Sequence, residues 1–307
     1  AAKASFKLNF QPGLQNRADK QVYNLGMFVR NGVLGKAVKA RSQFHKKQSW
    51  RQTSPNPERE TEMNWRLSKA VSLGLAGEIG IHQLDTASWF LMNQPVSVSG
   101  FGSIVKWKDG RDVADSIQAV VEYPEGVLLS YEATLANSFD AEISMFYGTD
   151  CAIMQRERRA WMFKEVDAPL LGWEVYAMKE NFYKESGIIL AAGATKQTSR
   201  IDNSKDKPVD EKTALQYGLE SFLIRSAGFS SAVADYADTG SDTGDTPEFR
   251  KYMSDLSQKL DKQLAEIKTG APSIQDGYEA TIVAIKANEA IVKGQKITFS
   301  KEWFAIS

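Results

Sequence analysis

Between Pro95 and Asp167 the chain reads as six β-strands in close succession: VSVSGFGSIVKW, DSIQAVVEYP, GVLLSYEATL, AEISMFYGTD, CAIMQRER and RAWMFKEV. Each run is rich in β-branched and aromatic residues. Turn signals such as Lys108-Asp109-Gly110 and Pro124-Glu125-Gly126 separate several of them. Connections of so few residues cannot carry the chain back to begin a parallel neighbour, so the strands pair antiparallel. A sheet with one apolar face must bury that face against another layer. The helical candidates are NRADKQVYNLGMFVRNGVLGK, with a stripe of Val22, Leu25, Phe28 and Val29, then ALQYGLESFLIRSAGF, SDLSQKLDKQLAEIKTG and DGYEATIVAIKANEAIVKG. AVKARSQFH, FKLNFQ (6–11) and the closing KITFSKEWFAI read as further strands. The expected class is α/β (α+β), a large open, mostly antiparallel sheet with helices on one face.

Length and charge narrow the function. A chain of 307 residues can bury a sizeable core. Lysine plus arginine balance aspartate plus glutamate at 38 each, so no overall field points to nucleic acid or to an anionic membrane. No apolar run is long enough to span a bilayer. The single Cys151 excludes an internal disulfide framework and a thiolate metal cluster. AAKASFKLNFQPG lacks both a signal-peptide pattern and an initiator Met, which suggests a processed or partial product. The polar stretch KKQSWRQTSPNPERETEMNWR is long for a loop, and such loops are more often functional than idle. Residues 198–212 read as an exposed loop. DTGSDTGDT (238–246) reads as a flexible linker, since it lacks the spacing and terminal Glu of a calcium loop.

Only two histidines occur, and one stands in LAGEIGIHQLDTASWF. On a continuous helix Glu78, His82, Asp85 and Trp89 fall on one stripe, with Leu84, Ala87 and Leu91 opposite as a core face. An imidazole between carboxylates can move a proton near neutral pH. The same spacing also suits a plain surface pair worth a few tenths of a kcal/mol, and E-x3-H-x2-D offers three candidate metal ligands. Trp50-Arg51 and Trp65-Arg66 flank the long polar loop. Indole faces stack on sugar C–H groups and guanidinium donates to hydroxyls, although either pair also suits loop packing or an ion pair with Glu58, Glu60 or Glu62. His45, at a strand end that enters this loop, is expected to be structural or peripheral.

GEIGIHQLDTASWFL resembles the signature helix of the Gfo/Idh/MocA oxidoreductases, relatives of glucose–fructose oxidoreductase and inositol dehydrogenase. The passages 10–45, 95–150 and 276–299 are similar to that family's linking strand and helix, its sheet and its closing helix and strand. The resemblance implies an NAD- or NADP-dependent oxidoreductase acting on a sugar, polyol or related carbohydrate. His82 is then the general acid/base, Glu78 its partner (commonly Asp in the family) and Asp85 the third motif residue. Gln15 and Arg17 match positions close to cofactor and substrate. The family's glycine-rich phosphate turn has no counterpart here. GFGSIV (100–105) continues as a strand, and DKP (206–208) is a poor echo of the catalytic-lysine motif. The resemblance therefore implies that residues 1–17 are the remnant of the last strand of a dinucleotide-binding domain, and that 18–307 form the substrate and oligomerisation domain. It also implies a homo-oligomer formed through the sheet, with RAWMFKEVDAPLLGWEVYA as sheet packing or a subunit contact. Two alternatives are an NAD-dependent glycoside hydrolase and a non-catalytic oligomerising or binding module.

Overall fold

A computed structural model describes residues 9–157, 159–182, 185–190, 212–240, 246–268 and 271–306. The chain divides into two compact units, Ala1–Lys20 with Lys212–Gly277, and Gln21–Glu211 with Tyr278–Ser307.

The second unit contains a ten-stranded sheet. Its strands are β1 (Ala37–His45), β2 (Ser97–Ser103), β3 (Ser116–Glu122), β4 (Leu128–Thr134), β5 (Glu142–Gly148), β6 (Cys151–Arg156), β7 (Arg159–Lys164), β8 (Lys179–Phe182), β9 (Glu185–Leu190) and β10 (Ile297–Thr298). Their spatial order is β10-β2-β3-β4-β1-β5-β6-β7-β9-β8. Two meanders, β2–β3–β4 and β5–β6–β7, are joined by β1, which is parallel to β4 and antiparallel to β5. Every other pairing is antiparallel, as the short connections require.

Register assigns the faces. Ser42 lies beside Tyr131 on one side and Ser144 on the other, so these three share a face, which continues through Ala119, Leu129 and Phe146 and is buried. The opposite face carries the exposed Lys39, Arg41, Ser130, Gln118 and Val120. Helices α1 (Lys20–Arg30), α3 (Gly74–Glu78), α4 (Gly80–Leu91) and α7 (Ile274–Lys293) contribute to the core of the buried side; the short α2 (Glu60–Met63) sits in the polar loop. Leu84, Ala87, Phe90 and Leu91 of α4 are buried, as the expected core face requires, with Phe90 4.8 Å from Phe146 of β5. Each large apolar side chain so buried contributes roughly 1.5–3 kcal/mol.

The first unit holds α5 (Ala214–Gly240) and α6 (Pro247–Lys268), packed through Phe229, Ala232 and Leu264. Residues 9–11 are not extended into a strand. Asn9 and Gln11 instead donate side-chain hydrogen bonds to the carbonyls of Phe222 and Gly218 in α5. The rest of the FKLNFQ strand, residues 198–211 with DKP, and residues 241–245 of DTGSDTGDT lie outside the described residues. Before that point α5 runs through 238–240, so the linker reading does not hold there. The closing strand shrinks to β10 because residues Lys301–Phe304 turn inward as a 3-10 turn, with Phe304 stacked on Phe299 at 5.6 Å.

Candidate active site

The helix carrying His82 is interrupted. Ile79 has φ −123° and ψ −52°, so α3 ends at Glu78 and α4 begins at Gly80. Glu78 and His82 are therefore not one turn apart on a continuous helix, which corrects the stripe read from spacing. Glycine is a poor helix former, and three of them (Gly74, Gly77 and Gly80) occur across the junction. Gly80 rests on the ring of the buried Tyr131, where a Cβ would lie 2.8 Å from Cε1. That contact sets the height at which α4 starts, and His82 is its third residue.

His82 is half-buried, and desolvation holds its imidazole below the ordinary histidine value of 6.5. It is consequently neutral at physiological pH and able to accept a proton. Glu78 closes α3 with its carboxylate held from two sides. Ser72 Oγ donates to Oε1 at 3.2 Å, and Arg66 Nε stands 3.6 Å from Oε2. The Arg66 guanidinium lies 5.0 Å over the Trp65 ring. Four polar or aromatic groups are thereby brought together: Glu78, Ser72, Arg66 and Trp65. Asp85 is 4% exposed and faces the interior, not a solvated stripe. Burial, and then the Asp85 charge, push the Tyr123 hydroxyl above its usual range, while Ser88 at 2.9 Å opposes them.

Trp50 and Arg51 belong to a second group. Trp50 packs against the main core in a left-handed conformation, φ 66°. Arg51 donates to the Asp109 carbonyl at 2.6 Å and pairs with Glu60. The buried Arg111 grips both Asp109 oxygens' side, with bonds of 2.8 and 2.7 Å, and donates to the Ser49 carbonyl. Asn64 binds the backbone of Gln52 and Glu60. Gln15 and Arg17 lie in the other unit, on a 3-10 turn, where Arg17 pairs with Asp276 at 2.8 Å and Gln15 packs on Gly218. His45 Nδ1 is 3.0 Å from the Phe139 carbonyl.

Sequence reasoning passed over Ser72, Arg111 and Gln83, which donates to Glu142 at 2.8 Å. KWKDGRD reads as a strand and a turn, and a turn signal does not reveal that Arg111 folds back on Asp109. Among the described residues no group of three or more His, Cys, Asp or Glu is placed to hold a metal ion. No described helix is long and apolar enough to cross a membrane. GFGSIV (100–105) does not fit the phosphates of a nucleotide cofactor. Gly100 and Gly102 lie inside β2, where a Cβ would meet the Gln118 carbonyl and Ile291, and β2 runs into a loop and not into a helix. That segment cannot cradle a pyrophosphate.

Residues 25–153 match the GFO/IDH/MocA C-terminal domain. That match spans 129 of the 307 residues. No curated protein matches the sequence. Among solved structures, a levoglucosan dehydrogenase in complex with NADH and L-sorbose superposes with TM-score 0.58 at 15% identity, over 93% of this chain and 64% of that one. An inositol dehydrogenase homologue from Azotobacter vinelandii, complexed with NAD+, gives 0.61 at 12%, over 94% and 64%. A super-repressor mutant of Gal80p from Saccharomyces cerevisiae gives 0.60 at 9%, over 99% and 69%. At these identities the shared property is the fold. The chain spans 64% of the length of the two dehydrogenases.

Proposed function

We propose that this GFO/IDH/MocA domain is the substrate side of an NAD(P)-dependent oxidoreductase acting on a sugar, polyol or related carbohydrate, with His82 as general acid/base. The observation that carries the reading is a desolvated, neutral imidazole in the first turn of α4, in the same short segment as the Glu78–Arg66–Trp65 group. In oxidation, the imidazole would accept the proton of the substrate hydroxyl on the carbon being oxidised, and in reduction it would return it. Glu78 would accept hydrogen bonds from neighbouring hydroxyls, Arg66 would donate to them, and Trp65 would offer its ring to a C–H face. Asp85, buried behind the helix, would hold α4 in place. Trp50, Arg51, Gln15 and Arg17 stay as further candidate substrate contacts. The nicotinamide, NAD or NADP, would be held by residues outside those described, as residues 1–17 reading as the end of a dinucleotide-binding domain and 18–307 as the substrate domain also require.

The test has two stages. Calorimetric titration of the chain with levoglucosan, L-sorbose and myo-inositol should give binding that Glu78→Gln and Trp65→Ala weaken. In the complete protein, His82→Ala should lower turnover by about 10²–10⁴-fold, the usual share of a general acid/base, while polyol affinity stays within a few-fold. Unchanged turnover would remove His82 from the chemistry.

A further inference from the structure

Glu142 opens β5, and register places it beside Phe44 of β1, two residues from the buried Ser42–Ser144 pair. Alternation along the strand therefore puts its side chain on the helix-covered face. Gln83, the residue after His82 in α4, reaches it: Nε2 donates to Oε1 at 2.8 Å, and Gln83 is 3% exposed. After burial, the Glu142 charge is the second influence raising the Tyr131 hydroxyl, and Tyr131 is the ring on which Gly80 rests. Gly80 and Gln83 flank His82, and both seat α4 on the strands that carry Tyr131 and Glu142. Two features set this carboxyl group apart. Glu142 is exposed to solvent, yet desolvation by surrounding protein raises it above the ordinary glutamate value, against the opposing Gln83 hydrogen bond. A group both open to water and crowded by protein lines a recess. Among the described residues no cation pairs with it, and Gln83 is the one donor to a carboxylate with room for about four. Gln83 meanwhile leaves its own buried Oε1 without a hydrogen bond. An unsatisfied buried carbonyl is unfavourable, so this amide orientation serves the carboxylate it holds and not stability.

We propose that Glu142 is a specificity-determining substrate contact beside His82, its second carboxylate oxygen accepting a hydrogen bond from a hydroxyl other than the one oxidised, with Gln83 as the positioning residue that aims it. The inference rests on the carbohydrate reading above and adds a requirement to it: the substrate must carry a hydroxyl donor on a second carbon. Glu78 and Arg66 would meet hydroxyls from the end of α3, and Glu142 from the start of β5. A ring held at separate points keeps the reacting hydroxyl in place while His82 moves its proton.

The test is steady-state kinetics of the complete protein with levoglucosan, L-sorbose and myo-inositol. For the compound that the wild type turns over, Glu142→Ala should raise KM at least about tenfold while kcat stays within a few-fold, the mark of lost substrate binding and not of lost chemistry. Glu142→Gln keeps an acceptor oxygen and should recover part of the affinity. It also keeps the side-chain volume, so the test stands if the alanine variant misfolds. A purely structural Glu142 would lower stability in urea and leave KM where it was. An unchanged KM in both variants overturns the inference and leaves the His82 reading standing. A wild type that turns over none of the three compounds, or turnover indifferent to His82→Ala, overturns the carbohydrate reading and this inference with it.

Discussion

Replacing Gly80 with alanine should destabilise the sheet unit, although alanine is the better helix former. A Cβ at Gly80 would stand 2.8 Å from Tyr131 Cε1 and 3.0 Å from its Cζ and hydroxyl. Carbon atoms settle at about 3.5–4.0 Å, so α4 or the ring must yield by roughly 0.7 Å. Tyr131 is 1% exposed and cannot swing away. Overpacking of this kind costs about 1–3 kcal/mol, and alanine's propensity returns at most about 1 kcal/mol. The net loss is therefore between about 0 and 3 kcal/mol. Gly228, in the middle of α5, supplies the opposite sign. A Cβ there meets Ile267 at 3.7–4.0 Å, ordinary contact, so Gly228→Ala should stabilise its own unit by about 0.5–1 kcal/mol. All seven tryptophans (50, 65, 89, 107, 161, 173 and 303) belong to the sheet unit. Tryptophan fluorescence during urea unfolding therefore reports that unit separately. A Gly80→Ala protein at least as stable as the wild type would refute the packing argument.

Arg111→Met should cost the sheet unit about 3 kcal/mol, because the guanidinium is 1% exposed and its loss leaves Asp109 and the Ser49 carbonyl without their donor; urea unfolding measures it, and an effect below about 1 kcal/mol would mean that the pair is not a structural clamp. Acidification supplies a second check. The His82 value is depressed in the folded state, so the unfolded chain binds the proton first and stability is lost as pH falls from about 6.5 toward the folded value. His82→Gln should remove that part of the pH dependence, and an unchanged pH profile would mean that His82 is not desolvated.

The sheet was legible because period-two runs between turn residues carry their own register, and all nine residues of AVKARSQFH form β1. The sequence did not reveal that β1 would insert between β4 and β5, since that pairing depends on contacts some ninety residues away. β8 and β9 were missed because KENF and ESGIIL carry little apolar alternation. The His82 helix was visible, but its break at Ile79 was not. The break depends on Gly80 settling on Tyr131, a residue far away in sequence. For the same reason Glu78 was expected to face His82, whereas its located partners are Ser72 and Arg66. Of the four tryptophan–arginine candidates, Trp65 and Arg66 join Glu78, while Arg51 is engaged by Asp109 and Glu60.

With only His45 and His82 in the chain, the two imidazole proton resonances can be assigned by a single His45→Gln substitution. Titrating them by NMR with and without myo-inositol tests the account most directly. The account predicts that the His82 resonance titrates below 6.5 and shifts when the polyol binds, while His45 does not respond to polyol. A His82 that titrates at or above 6.5 and ignores every polyol that binds would contradict it.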